Sequence, residues 1–183
     1  MRIILSLTTI FLICMVLGYG YSLANPEYSR SFVEKTFSGF EFVKNMEHYE
    51  IFLFIFVNNS VKSFVSMLLG ITFGLVPLLF VCLNGVLIGF VVGVSVSKFG
   101  ILKTLLLLIP HGIFEIPAVL LSSTYGVEIG VATVKRVRGE EIDLNQLILN
   151  KIRNFGKFLL PVFFIAALIE TYITPVIANL WAF

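Results

Sequence analysis

Residues 51–97 read IFLFIFVNNSVKSFVSMLLGITFGLVPLLFVCLNGVLIGFVVGVSVS, and Lys62 is the one charged side chain among them. A single helix of that length would measure about 70 Å at ~1.5 Å per residue, more than twice the roughly 30 Å hydrocarbon core of a bilayer. The stretch must fold back on itself. Pro77 is the expected break, because its ring clashes with the preceding turn and it lacks an amide donor. Two antiparallel helices follow, over about 51–75 and 77–97, joined by an uncharged turn. In lipid every backbone polar group must be bonded within the protein, so spans are helices or a closed barrel, and these runs lack a barrel's alternation. The fold class is therefore all-α: a polytopic transmembrane helical bundle.

Working outward, the rest of the chain is of the same material. Of its 183 residues 58% are hydrophobic and 13% charged, against about 25% charged in a soluble domain, which excludes a water-soluble fold. The run from Ile3 to Ala24, preceded by Arg2, is a first transmembrane helix over 1–24. The rival reading is a secretory signal ending at Ser22-Leu23-Ala24; the unbroken apolar length and the following Asn25-Pro26 favour a retained helix. Residues 25–50 carry Glu27, Glu34, Glu41, Glu47 and Glu50 with Arg30, Lys35 and Lys44. Phe32, Val33, Phe37, Phe40 and Val43 recur among them at helical spacing, so the segment reads as an amphipathic helix capping the bundle. Its net acidity disfavours docking on anionic headgroups.

Beyond residue 97, Pro110-His111-Gly112 and Pro117 predict a short helix over 101–109, a break at 110–112 and a longer helix over 113–134, closing a central bundle that spans 51–134. Residues 135–157 hold six bases and three acids and read as a basic loop, and 158–183 as the last span. That makes about five spans. The excess of Lys and Arg on cytoplasmic loops places 135–157 and the amino terminus inside the cell membrane, with 25–50 and the carboxyl terminus outside. Trp181 fits an aromatic belt at the outer boundary.

Several residues need a reason to be in lipid. Glycines recur four apart at Gly70/Gly74, Gly85/Gly89/Gly93 and Gly126/Gly130, smooth stripes along which helices approach closely. They serve packing within one chain first, and three separate stripes leave room for a homo-oligomer as well. Asn58, Asn59 and Lys62 form a polar patch where the second span begins, and Asn84 precedes the triple stripe. His111 and Glu115, four apart, share a face of any continuous helix turn, and Glu170 lies near the middle of the last span. Ionisable groups at such depth are expensive and point to function by default. A structural cluster, a proton or cation relay and a hydrolytic metal site compete for them.

The metal site is the weakest of the three, since the chain has two histidines, His48 and His111, and neither cysteine lies near them in sequence. No HExxH pattern occurs, and Gly93-Val94-Ser95-Val96 lacks the glycine that an intramembrane serine nucleophile motif would place at Ser97. Cys14 and Cys82 read as packing residues, with no disulfide expected. The expectation is a non-enzymatic protein without metal or other cofactor, without a nucleic-acid partner, and with the lipid bilayer as its first partner.

Residues 51–138 resemble the stage II sporulation protein M family: Asn58-Asn59 opening a span, Gly70-xxx-Gly74, Asn84-Gly85-xxx-Gly89, and Pro110-His111-Gly112-xx-Glu115-xx-Ala118. The Pro-His-Gly…Glu element is the specific part. The resemblance implies about five helices and, from members acting in a membrane complex with cell-wall-degrading proteins during engulfment, a scaffold among other membrane or envelope proteins. Only motif membership is carried over to Asn58, Asn59, Asn84, Pro110, His111, Gly112 and Glu115. The alternative is a small permease or ion-coupled subunit in which His111, Glu115 and Glu170 handle protons or cations.

Overall fold

The computed structural model describes residues 2–38 and 46–180, with backbone alone at 37, 107, 110, 111 and 178–180. The readings placed on Phe40, Glu41, Val43, Lys44 and Trp181 lie outside the described residues, as do the side chains of Phe37, Pro110 and His111. Eight helices follow one another among the described residues: α1 (Arg2–Ala24), α2 (Pro26–Ser38), α3 (His48–Leu68), α4 (Leu75–Phe99), α5 (Ile101–Val137), α6 (Leu144–Asn154), α7 (Leu160–Leu168) and α8 (Thr174–Leu180). A 3-10 turn, Leu69–Ile71, finishes α3, and π turns at Phe155–Leu159 and Ile169–Ile173 join α6, α7 and α8 into one rod. Among the described residues five stretches are long and apolar enough to cross a membrane: Arg2–Ala24, His48–Ile71, Leu75–Phe99, Gly112–Val137 and Leu144–Ile177.

The chain reverses after α3 slightly before the expected position. Phe73 (φ 59) and Gly74 (φ 80) both take the left-handed conformation that closes the turn. Such a φ is free for glycine and strained for phenylalanine. Pro77 is not the break; it sits buried in the first turn of α4, where a missing N–H leaves no hydrogen bond unmade. The second reversal is made by Gly100 alone (φ 79), between Phe99 and Ile101.

The break expected at 110–112 is absent. The backbone is helical through all 37 residues of α5, past Pro110 and Pro117, for a length of about 55 Å. A proline removes one amide donor from the ladder, and a helix packed among others keeps its remaining bonds, so membrane helices tolerate proline where soluble ones end. Residues 135–157 also differ from the expected loop: only 138–143 connect. Asp143 caps α6, its Oδ1 accepting from the Gln146 amide at 2.9 Å. Leu144 is buried in the core while Leu147, Ile148 and Ile152 pack against it, a helical period that the surrounding bases disguise in the sequence. The last span therefore grows directly out of α6.

The central helix is α5, which touches α1, α3, α4, α6, α7 and α8. On one side Met67 of α3 and Phe155, Leu159 and Phe163 of the last rod pack on Ala118, Val119, Ile129 and Ala132. On the other, Leu7 and Phe11 of α1 and Val81 of α4 pack on Leu120. The surface distribution is that of a lipid-solvated molecule. Leu17 and Leu83 are 64% and 67% exposed, while Ser63, Ser122 and Ser123 are at most 1% exposed. Hydroxyls are inside and aliphatic chains outside. The amphipathic helix expected within 25–50 is seen over Pro26–Ser38, where Phe32 of α2 meets Phe90 of α4 edge-on at 5.3 Å and Tyr21 of α1 stacks on the same ring at 5.6 Å.

Candidate functional site

Small residues decide where the helices touch and where space remains. Along α4, ideal Cβ atoms would lie 2.7 Å from the Phe11 carbonyl oxygen at Gly85 and 2.7 Å from the Tyr19 amide nitrogen at Gly89, and would collide with Ser22 at Gly93. As residue numbers rise on α4 they rise on α1, so the two helices run parallel, as alternate crossing of five spans requires. At the turn end, Gly70 lies against the Gly126 backbone, Gly126 against Pro77 and Met67, and Gly130 against Gly74 and Phe73. All the predicted stripes are thus used inside the chain.

Two contacts missed in the sequence extend this packing. Ala118, Ser122, Gly126 and Gly130 form a buried row of small residues at four-residue spacing on α5. It faces a second row on α3, Ser60, Ser63, Ser66 and Gly70, and the Ser122 hydroxyl donates to the Ser63 carbonyl at 2.9 Å. Small side chains are the common signal, and a search for glycine alone misses the serines. The other contact is the ion pair between Lys151 of α6 and Glu128 of α5, with the Lys151 ammonium 4.6 Å from the Tyr125 ring centre.

Away from the turn, a cavity of about 700 Å³ opens among α2, α3, α4, α5 and the last rod. Asn58, Asn59 and Lys62 from α3, Asn84 from α4, Glu115 from α5 and Glu170 from the last rod all line it. These residues are scattered over more than a hundred positions of sequence. Phe54, Phe80, Leu87 and Val91 supply apolar walls, and Thr36 of α2 reaches the same space. Each polar residue is delivered by a specific local feature. Glu170 stands in the π turn Ile169–Ile173, whose widened ring is braced by the Thr174 hydroxyl donating to the Ile169 carbonyl at 3.3 Å. Such turns recur at functional positions because they swing one side chain off the regular helical face. The last rod is held antiparallel to α3 by edge-on rings, Phe52 and Phe56 on Phe164 at 5.0 and 5.7 Å and Phe64 on Phe155 at 5.1 Å.

Hydrogen bonds orient the amides. Asn84 Nδ2 donates to the Phe80 carbonyl of its own helix at 2.7 Å, which leaves its carbonyl oxygen as the group to offer an occupant. Asn58 Nδ2 donates to Asn59 Oδ1 at 3.2 Å, leaving the Asn58 oxygen and the Asn59 amide hydrogens. Among the described residues the site therefore brings together amide oxygens, the Glu115 and Glu170 carboxyls and the Lys62 ammonium. Among the described residues no group of three or more His, Cys, Asp and Glu side chains stands together as a metal site.

The predicted residues thus separate into two kinds of position. Asn58, Asn59, Asn84, Glu115 and Glu170 meet in the cavity. Gly112 is elsewhere, on an apolar groove between α1, α4 and α5. Pro110 and His111 belong to α5 by backbone, and the expectation that His111 shares a face with Glu115 concerns a side chain outside the described residues. Lys62, noted in the sequence only as part of a patch, lines the cavity itself.

A family model described as stage II sporulation protein M matches residues 7–175. Two relatives from Methanocaldococcus jannaschii are similar to the chain. The uncharacterized protein MJ0793 is 33% identical over 126 residues, covering 67% of this chain and 71% of the relative. The uncharacterized protein MJ0706 is 26% identical over 189 aligned positions, covering 98% of this chain and 84% of the relative. No solved structure matches.

Proposed function

The chain belongs to the stage II sporulation protein M family, and we propose that it acts in the cell membrane as a small, non-enzymatic carrier or ion-coupled subunit that handles protons or a monovalent cation. The observation that supports this reading is the convergence of Glu115, Glu170, Asn58, Asn59 and Asn84 on one cavity between spans. Amide and carboxyl oxygens suit a weakly held cation or a proton, and the Glu115 and Glu170 carboxyls share the cavity with the Lys62 ammonium. Ionisable groups facing a cavity between membrane helices are the usual marks of an ion pathway. The bias of Lys and Arg toward the cytoplasm puts the amino terminus and the 138–143 connection inside, and α2, whose Thr36 lines the cavity, outside.

The scaffold reading implied by the family rests on a different observation. Among the described residues the connections at 72–74, 100 and 138–143 are short, which leaves the spans and α2 as described surfaces for other membrane or envelope proteins to engage. Glu115→Gln and Glu170→Gln separate the two, because each keeps shape and removes an ionisable group. In proteoliposomes carrying a pH or monovalent-cation gradient, the wild type dissipates the gradient and each variant loses at least about tenfold in rate, the usual scale for a positioned ionisable group. A wild type that passes no ions, together with variants that still co-purify the same set of membrane proteins, replaces the carrier with the scaffold.

A further inference from the structure

A second space lies on the other side of Ile88 and Leu108, which line both it and the polar cavity. It is a groove of about 510 Å³ between α1, α4 and α5. Met15, Val16 and Tyr19 form one bank, Ile88 and Val92 a second, and α5 supplies the third from Leu105 to Ile116. Polar chemistry is nearly absent from it. The Thr104 hydroxyl is occupied, donating to the Gly100 carbonyl at 2.8 Å. At Gly112 a Cβ would meet only the tip of Ile116, at 3.3 Å, so the missing side chain widens the groove without bringing a backbone close. The rim is open to the side: Val16, Leu105, Ile109 and Ile113 are all exposed. These banks belong to helices that cross the membrane, so what reaches the groove laterally is a lipid tail.

The end of the groove that starts at Thr104 and Leu105 also carries two lysines. Lys98 ends α4 and Lys103 begins α5, and their ammonium groups lie 5.1 and 5.5 Å from the centre of the Phe99 ring. The first turn of α5 adds the partial positive charge of a helix start. At the same end the charges of α2, Glu27 and Glu34 against Arg30 and Lys35, balance one another, and Glu47 and Glu50 are engaged with each other in the capping box that opens α3.

We propose that this groove is a binding site for one anionic phospholipid, with an acyl chain between α1 and α5 and the phosphate held by Lys98 and Lys103. The tail gains no hydrophobic free energy, since it leaves one apolar surrounding for another; its contribution is close packing. Selectivity comes from the headgroup. A chain lying there backs the Ile88–Leu108 wall of the polar cavity, which ties lipid occupancy to the shape of the candidate site. The lipid site is independent of what the cavity carries.

The test is native mass spectrometry of the full-length protein released from nanodiscs of mixed phosphatidylglycerol and phosphatidylcholine. The wild type retains one phosphatidylglycerol in preference to phosphatidylcholine by roughly tenfold or more, the scale set by two juxtamembrane lysines. Lys98→Gln with Lys103→Gln abolishes that preference while the protein stays folded. Ile109→Trp fills the groove and lowers retention of both lipids. Equal retention of the two headgroups by the wild type overturns the proposal, and so does an undiminished preference in the double lysine variant. Unchanged lipid retention by a folded Ile109→Trp protein moves the lipid out of this groove and overturns it as well.

Discussion

The helix α4 meets its neighbours in two different ways. Against α1 it is closed along most of its length, since Gly85, Gly89 and Gly93 keep the two backbones together from Phe11 to Ser22. Against α3 and α5 it is closed at one end only, where Gly70, Gly74, Gly126 and Gly130 gather, and beyond them the polar cavity stands between α3 and α4. One interface is a seam and the other a pivot. A membrane protein has no hydrophobic force to draw its helices together, so it holds space open between two spans only by locking their far ends tightly. The glycines that look interchangeable in sequence therefore do different work: three fix a pair of helices, and four set the corner from which a cavity opens.

That contrast breaks most severely at the corner. In Gly126→Leu the first added carbon falls 2.5 Å from Pro77 Cγ and 3.1 Å from the Met67 backbone, and neither can step aside. Overpacking of a tight core costs about 1–3 kcal/mol where side chains can shift, and more where backbone must. The expected outcome is loss of monodisperse protein in detergent, read by fluorescence-detected size exclusion. A Gly126→Leu protein that elutes and melts like the wild type would remove the corner from the explanation of the fold.

Gly89→Leu attacks the seam and should be milder, because α1 can move outward while α3, α5 and the last rod keep their own core. Its readout is already present in the chain. Cys14 of α1 and Cys82 of α4 are both free, and Cys14 sits in the seam itself, its Cβ 3.0 Å from where a Cβ at Gly85, three residues from Cys82, would stand. Mild oxidation of the wild type in membranes should link them within one chain, visible as a shifted monomer band, and Gly89→Leu should reduce the linked fraction several-fold. An unchanged yield would show that the triple glycine stripe is not the contact surface.

How far all this was legible in the sequence depends on which scale is asked about. Lipid as solvent, five spans and a place for Glu170 near the middle of the last one follow from run lengths and charge placement, because the bilayer imposes one dimension that a linear pattern can meet. Element ends were less legible, and for identifiable reasons. Pro77 marks a helix start as well as a helix break, and the left-handed pair Phe73-Gly74 gives no signal that outweighs it. Pro110 looks like a stop only when a helix is considered apart from its neighbours. In 144–154 Arg153 is exposed while Lys151 turns inward to Glu128, and the core-facing period runs through Leu144, Leu147, Ile148 and Ile152, so reading the segment by charge alone turns it into a loop. As for the site, the sequence offered its residues one by one. Their meeting depends on the α3–α4 reversal and on the π turn at Glu170, neither of which leaves a period to detect. The aromatic rings that dock α2 on α4 and the serines that line α3 and α5 were equally silent, since each residue type is at home in any membrane helix.

Those serines sharpen the comparison at its finest grain. At the corner the α3–α5 interface holds by glycine contact, but one helical turn nearer the cavity it holds by the Ser122 hydroxyl donating to the Ser63 carbonyl at 2.9 Å. Ser122→Ala removes the donor and leaves the volume almost unchanged. Ser63 keeps its carbonyl in the α3 ladder, so no group is stranded outright, and hydrogen bonds between membrane helices average only ~0.6 kcal/mol in double-mutant cycles. The expected result is a fall in melting temperature of about a degree or two, with unaltered elution and unaltered Cys14–Cys82 linking. A Ser122→Ala loss as large as that of Gly126→Leu would mean that the pivot extends a full turn further toward the cavity than the glycines mark, with hydroxyl bonding rather than backbone contact setting the angle at which α3 leaves α5.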